Sequence, residues 1–324
     1  MLLVVTRHVF YFGHLGLDNS INETFSIFRM PLFFFISGFI LYKENFVWNI
    51  SNTLLFLWKK CKVQIFTTLI ALTSFCITFH KPLFDLICHN TKGGYWFTIT
   101  LFFCFCIFAI VRLLLDRYNK NAAMGGVILI GLFLWKYTQP LMGPERETFL
   151  IHLFSIERLR YFIFFGTGTL CKMYFKQFEK TIENKYFMAI CIALFLAFAY
   201  IKINQIDIPK QYIFQMFAGI FGAIITFAFF KKHNNVFSKD KRIGRISQYI
   251  GRRTLDIYFL HYFFLPNNLC PLNELLPGTN SQLLSFVYAL LVASIVMCAC
   301  LLTSNILRLS PFIAHYLFGV KVSK

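Results

Sequence analysis

The chain has 324 residues, of which 57% are hydrophobic, 19% aromatic and only 14% charged, with a formal net charge of +18. A soluble domain of this size must present a polar exterior and could not hide so much apolar surface. The composition therefore excludes a soluble enzyme and points to an all-α polytopic membrane protein.

Apolar runs near the length of about 20 residues that crosses a bilayer recur along the whole chain. Ten spans are expected, over 1–13, 28–42, 63–79, 95–113, 122–138, 158–174, 186–203, 211–230, 254–270 and 282–307. The first run, MLLVVTRHVFYFG, is too short to cross. It is too polar around Arg7 and His8 for a signal-peptide core, and no small-residue cleavage site follows. The missing half of this helix is expected upstream of Met1, roughly 10–25 residues by the shortfall in helix length. The second run is the most informative. In FRMPLFFFISGFILYK, Arg29 stands at the mouth, Pro31 falls in the first turn, where its missing N–H costs nothing, and Ser37 and Gly38 interrupt the run at mid-depth. Small and polar residues at that depth are expensive unless they line a cavity or a packed interface.

Lys59, Lys60 and Lys62 precede the third run. After it, HKPLFD (80–85) fits the H-x-x-x-x-D pattern of glycerolipid acyltransferases. It contains Pro82, falls on the expected outer side and has no companion motif, so it is weighed against. In the sixth run, Gly166 and Gly168 are read as allowing close helix approach. In the ninth, RRTLDIYFLHYF, Thr254, Tyr258 and His261 share one helix face. Asp256 lies roughly 140° away at 100° per residue and does not easily orient His261. The plain reading of His8 or His261 is a buried imidazole held by a carbonyl or hydroxyl. Intramembrane ionisable groups are also functional candidates by default, and a neutral imidazole is a competent base near pH 7. The tenth run is long enough to tilt or bend. The 43 phenylalanines are read as lipid-facing and core packing rather than ligand stacking.

Charge placement orients the map. With the loops after even-numbered spans and the C-terminal tail on one side, that side carries 22 of the 32 Lys and Arg, the other carries 8, and Arg7 and Arg29 lie within spans. The positive-inside rule makes the richer side, with both termini, cytoplasmic. The positive charge is then an orientation signal and a lipid-headgroup contact, and nucleic acid is not a partner. The connections at 139–157 and 231–253 are the longest, and no soluble domain stands apart, so residues 1–324 form one membrane domain. Most of the ten cysteines fall in spans and no C-x-x-C occurs, so no zinc, other metal or redox site is expected. Cys88 and Cys270 alone fall together on the outer side, where a bridge would be permitted. No G-x-S-x-G elbow, Walker loop or H-E-x-x-H helix is present.

Four stretches taken in order carry a resemblance that covers the chain from end to end. LLVVTRH, ending at His8, is similar to a first-helix "VV-x-x-H" signature. FRMPLFFFISGF (28–39) is similar to "MPLFFFISGF", the most specific match. GGYWFTITLFF (93–103) is similar to "WFL-x-x-LF", and TLDIYFLHYF (254–263) to "L-x-IY-x-x-H". RYFIFFGTGTL (160–170) is a weaker fifth. The chain resembles the acyltransferase-3 family, integral-membrane O-acyltransferases of bacterial surface polysaccharides. The resemblance implies acetyl-CoA or another acyl-CoA as donor, and a polysaccharide or lipid-linked sugar hydroxyl as acceptor, at the bacterial cytoplasmic (inner) membrane. It makes His8 the catalytic residue, as base or acyl relay. Arg29, Ser37 and Gly38 would shape the substrate cavity, with Trp96, Tyr258 and His261 also facing substrate. Lys59, Lys60 and Lys62 would meet the CoA phosphates, their alternative role being topology alone. Two departures stand out. The family's basic residue eleven positions before the histidine would precede Met1, and VQIFTTL (63–69) lacks the family's proline. A transporter or flippase of lipid-linked sugars, an acyltransferase of the separate His/Asn type and an inactive family member remain as alternatives.

Overall fold

A computed structural model describes residues 1–15, 19–138, 141, 149–269 and 281–319. Every regular element among them is helical. Among the described residues six helices are long and apolar enough to cross a membrane: Ser20–Leu41, Ile50–Phe79, Trp96–Leu115, Lys185–Ile203, Gln211–Lys232 and Gln282–Leu307. In chain order the α-helices are α1 (Leu2–Phe12), α2 (Ser20–Leu41), α3 (Ile50–Cys61), α4 (Thr67–Phe79), α5 (Leu83–Cys88), α6 (Trp96–Leu115), α7 (Lys120–Thr138), α8 (Phe149–Leu153), α9 (Phe162–Met173), α10 (Phe175–Glu183), α11 (Lys185–Ile203), α12 (Gln211–Lys232), α13 (Arg242–Arg252), α14 (Thr254–Leu260), α15 (Gln282–Leu307) and α16 (Pro311–Phe318).

Three of the ten expected spans are shorter than the runs suggested. Helix α1 has 11 residues, about 16 Å at 1.5 Å per residue, against a hydrocarbon core of about 30 Å. Helix α9 has 12 residues, because residues 156–161 before it form a 3₁₀ turn. Helix α14 has 7 residues and passes into a 3₁₀ turn at His261–Phe263. Pro266 soon after cannot continue a helix.

Two elements begin earlier than expected. Helix α2 starts at Ser20, where the Asn19 side chain accepts a hydrogen bond from the Asn22 N–H (3.0 Å), an N-cap. Glu23 sits in its first turn, complementing the helix dipole. Arg29 is therefore about 14 Å along the helix at 1.5 Å per residue, near mid-depth rather than at its mouth. Pro31 is interior and not in the first turn, which leaves the Ile27 carbonyl without its usual donor. The third span begins at Ile50 and runs through a π-helical turn, Lys62–Phe66, into α4, so Lys59, Lys60 and Lys62 stand on helix and not in a loop.

The core forms where α2 crosses α9. A Cβ on Gly38 would lie 2.0 Å from the Phe165 carbonyl oxygen, and one on Gly168 would lie 2.0 Å from that of Phe35. Two reciprocal glycines thus let two backbones touch, and the drive is close packing. Phe34, Phe105, Phe108, Phe162, Phe164 and Phe165 fill the space around this crossing. The described cysteines are free; the Cys88–Cys270 pairing lies outside the described residues.

One end of the bundle is basic. There Lys120 Nζ reaches the Glu44 carbonyl (3.3 Å) and Lys231 pairs with Glu179 (2.5 Å) and Glu183 (3.0 Å). At the same end the buried Asp256 carboxylate takes two hydrogen bonds from Arg308 (2.9 and 2.8 Å), one from Ser304 (2.5 Å) and one from Arg253 (3.2 Å). This fully partnered carboxylate pins the start of α14 to the end of α15.

Candidate functional site

Val5, Val9 and Phe10 bury one face of α1 against Ala289, Ala293 and Val296 of α15. Arg7 and His8 fall outside that face. Arg7 pairs with Glu23 (2.5 Å), which also meets Lys202 (3.3 Å). His8 Nε2 lies 3.2 Å from the Tyr262 hydroxyl. The His8 and His261 ring centres are 5.1 Å apart.

His261 is fully buried. Its Nδ1 lies 3.0 Å from the Ile257 carbonyl and 2.8 Å from the Tyr258 carbonyl. Carbonyl oxygens only accept, so Nδ1 carries the proton and Nε2 holds the lone pair. That Nε2 is buried without a hydrogen-bond partner. The carbonyls account for one ring nitrogen only, and the other remains an open acceptor beside His8. Asp256, committed to Arg308, Ser304 and Arg253, takes no part, as its angle on the helix indicated.

The loop before α6 holds this pair. Gly94 has φ +94°, and a Cβ there would fall 1.7 Å from the Tyr262 hydroxyl. The Tyr258 hydroxyl donates to the Gly94 carbonyl (3.1 Å), and the Tyr95 hydroxyl donates to the Phe259 carbonyl (2.9 Å). Residues 94–95 therefore clamp α14 and let Tyr262 reach His8. Arg29 donates from Nη1 to the Leu3 carbonyl (2.9 Å), bracing α1. Trp96 lies in a stack, 5.6 Å from the Tyr161 ring and under the Arg158 guanidinium (4.5 Å). Nearby, Lys92 is fully buried and donates to the Ile87 (2.6 Å) and His152 (2.5 Å) carbonyls. Burial pushes its ammonium down to about 8, against the opposing pull of Glu157.

A cavity of about 630 Å³ opens at the basic end, lined by Ser37, Lys43, Lys59, Lys60, Gln64 and Arg112 among others. Its volume is in the range of small-molecule sites. Ser37 donates to the Phe33 carbonyl (2.8 Å), so the helix stays unbroken there. Gly38 faces α9 and not the cavity. Lys60 Nζ sits 4.4 Å from the Phe105 ring centre, whereas Lys62 turns onto Trp58 at 5.1 Å. A line of hydroxyls leaves the cavity wall. Thr68 Oγ1 donates to the Gln64 carbonyl and meets Thr98 Oγ1 at 2.7 Å, and Thr98 meets the Tyr95 carbonyl at 3.3 Å. The π-turn carrying Gln64 is thus linked to the loop that holds Tyr262.

The structure brings together His8, His261 and Tyr258 at one centre and Ser37, Lys59 and Lys60 at the other. Arg29 braces the first centre, and Trp96, Gly38 and Lys62 stand aside from both. Sequence reasoning missed Tyr262, Gly94, Gln64 and Arg112. Tyr262 follows His261 directly and was legible as a neighbour; Gly94 has meaning only through the distant Tyr262. Among the described residues, no group of three or more His, Cys, Asp or Glu is placed to hold a metal.

A family model described as an acyltransferase domain matches residues 1–305. No curated protein and no solved structure matches the chain.

Proposed function

This chain belongs to the acyltransferase-3 family, and on that premise we propose that it moves an acyl group, acetyl in the simplest case, from acyl-CoA to a hydroxyl of a cell-surface or lipid-linked polysaccharide. The observation that carries this reading is the His8–His261 pair. Two imidazoles lie 5.1 Å apart between ring centres, tilted by 44°, one with a lone pair that has no partner. Such a pair suits a reaction that moves a proton off a hydroxyl.

In the proposed reaction the acceptor's proton passes to His8, and its oxygen bonds to the thioester carbonyl carbon. The carbon–sulfur bond breaks, and the thiolate leaves with the proton returned by the imidazolium. Alternatively His8 takes the acyl group first and relays it. Tyr262 would hold His8 in one orientation by accepting from its Nε2–H, which leaves Nδ1 as the base, and the His261 lone pair would accept from a second, non-reacting hydroxyl of the sugar. The donor would enter the cavity from the cytoplasm, since the positive-inside rule puts the basic end there, with both termini on that side of the bacterial inner membrane. Lys59 and Lys60 support this placement by lining the cavity, while Lys62 would act only on topology and lipid.

The test is the ester content of the surface polysaccharide, read by NMR, in cells carrying the wild type or His8→Ala at matched protein levels. Loss of acylation with His8→Ala is the expected result. Acylation retained at wild-type level would remove this mechanism.

A further inference from the structure

The cavity at the basic end is lined by two side chains that carry buried polar atoms without a hydrogen-bond partner, Nε and Nη1 of Arg112 and Oε1 of Gln64. Arg112 is 1% exposed and lines the cavity. Its Nη2 lies 2.9 Å from Asp116 Oδ1, one turn on, off the line of a hydrogen bond, while Nε and Nη1 have no partner. Its guanidinium lies 5.5 Å from the Tyr42 ring centre and 5.9 Å from that of Phe108, and the Tyr42 hydroxyl is within its hydrogen-bonding reach. Gln64 lines the same cavity from the π-helical turn, and its Oε1 is buried and unpartnered. Leaving such groups unmet is costly, and π-turns recur at functional sites. One group donates to an anion in a fork geometry; the other accepts an N–H.

We infer that Arg112 and Gln64 form a paired subsite for the donor, in which the Arg112 fork holds a phosphate and Gln64 Oε1 accepts a secondary amide N–H of the same molecule. The inference rests on the acyl-CoA reading above and deepens it. It assigns the phosphate to an arginine on α6 rather than to the lysine run, and it requires a donor with both a phosphate and an amide arm.

The test is binding to the full chain in lipid nanodiscs. Acetyl-CoA, which has phosphates and amides, is compared with S-acetylpantetheine, which keeps the amides and lacks the phosphates. Arg112→Gln is expected to weaken acetyl-CoA about 10- to 100-fold, the range of a lost hydrogen bond to a charged group, and to leave S-acetylpantetheine unchanged. Arg112→Lys, which keeps the charge without the fork, should fall between the wild type and Arg112→Gln. Gln64→Leu is expected to weaken both probes about 3- to 10-fold. Equal losses for both probes in Arg112→Gln would mark a structural role and overturn the subsite. So would full acetyl-CoA affinity in either Arg112→Gln or Gln64→Leu, with the acyl-CoA reading left standing. Failure of the wild type to bind acetyl-CoA would overturn both.

Discussion

The histidine centre and the basic-end cavity lie in one bundle and are built on opposite principles. At the histidine centre almost every polar atom is spoken for. Two carbonyls hold His261 Nδ1, Tyr262 meets His8, and Gly94 and Tyr95 lock the helix that carries both. One lone pair is left over. In the cavity wall polar atoms are left over: Arg112, although ion-paired with Asp116, has no hydrogen-bond partner at Nε or Nη1, and Gln64 has none at Oε1. A centre that moves protons needs fixed tautomers, which internal hydrogen bonds supply. A site that takes up a large donor needs unsatisfied groups that the donor completes.

The largest effect that sharpens this contrast belongs to neither region but to the crossing between them. Gly38→Val puts side-chain atoms into the Phe165 backbone, where a Cβ alone would lie 2.0 Å from the carbonyl oxygen, and backbone cannot yield as a side chain does. Loss of monodisperse folded protein in fluorescence-detected gel filtration is expected. Ser37→Ala, one residue away on the cavity wall, should elute as wild type. Equal behaviour of the two would contradict the assignment of adjacent residues to different tasks.

Next comes Tyr262→Phe, which removes one hydrogen bond from His8 and little volume. A fall of about 3- to 10-fold in kcat, with donor KM unchanged, is expected from the usual worth of such a bond. A change confined to donor KM would place Tyr262 in the cavity's service instead. Smaller still is the contrast between two lysines. Lys60→Ala should raise donor KM about 2- to 5-fold, as expected of a partly screened charge, while Lys62→Ala, whose ammonium lies over Trp58, should leave it within the error of the assay. Equal effects would return both to a topological role.

The smallest effect concerns Lys92, behind the histidine centre. Its ammonium is lowered to about 8 from an ordinary 10.5. Between those values the unfolded chain holds a proton that the folded chain has released, so stability rises with pH across that window. Below about 8 both states are protonated and the burial penalty is constant. The wild-type Tm measured against Lys92→Met should therefore gain about 2 °C between pH 7.5 and pH 9.5. A flat or falling difference would contradict the burial of this ammonium.

Much of the bundle was legible in the sequence because apolar length alone marks a spanning helix. Trp96–Leu115 and Gln211–Lys232 lie within two residues of their expected bounds. The start of α2 was not legible. Asn22, Glu23, Thr24 and Ser26 read as loop until Arg7 and Lys202 arrive from other helices to pair with Glu23 and Ser26. The shortness of α14 was hinted at by Pro266, but the 3₁₀ turn depends on packing. His8 and His261 could each be singled out as an ionisable group at depth, yet their meeting is a fact of tertiary structure. Arg112 passed unremarked in the sequence, because only the fold shows that two of its nitrogens lack partners.

The most direct measurement is a mutant cycle on acyl transfer from acetyl-CoA to a hydroxyl acceptor by the nanodisc-embedded chain, with His8→Ala, His261→Ala and the double variant. If the two imidazoles act as one unit, His8→Ala should cost about 10²- to 10⁴-fold, the usual worth of a positioned base. His261→Ala should cost less, and the double variant should be no worse than His8→Ala, since residues that act together are not additive. Losses that multiply, or transfer at wild-type rate without His8, would contradict it.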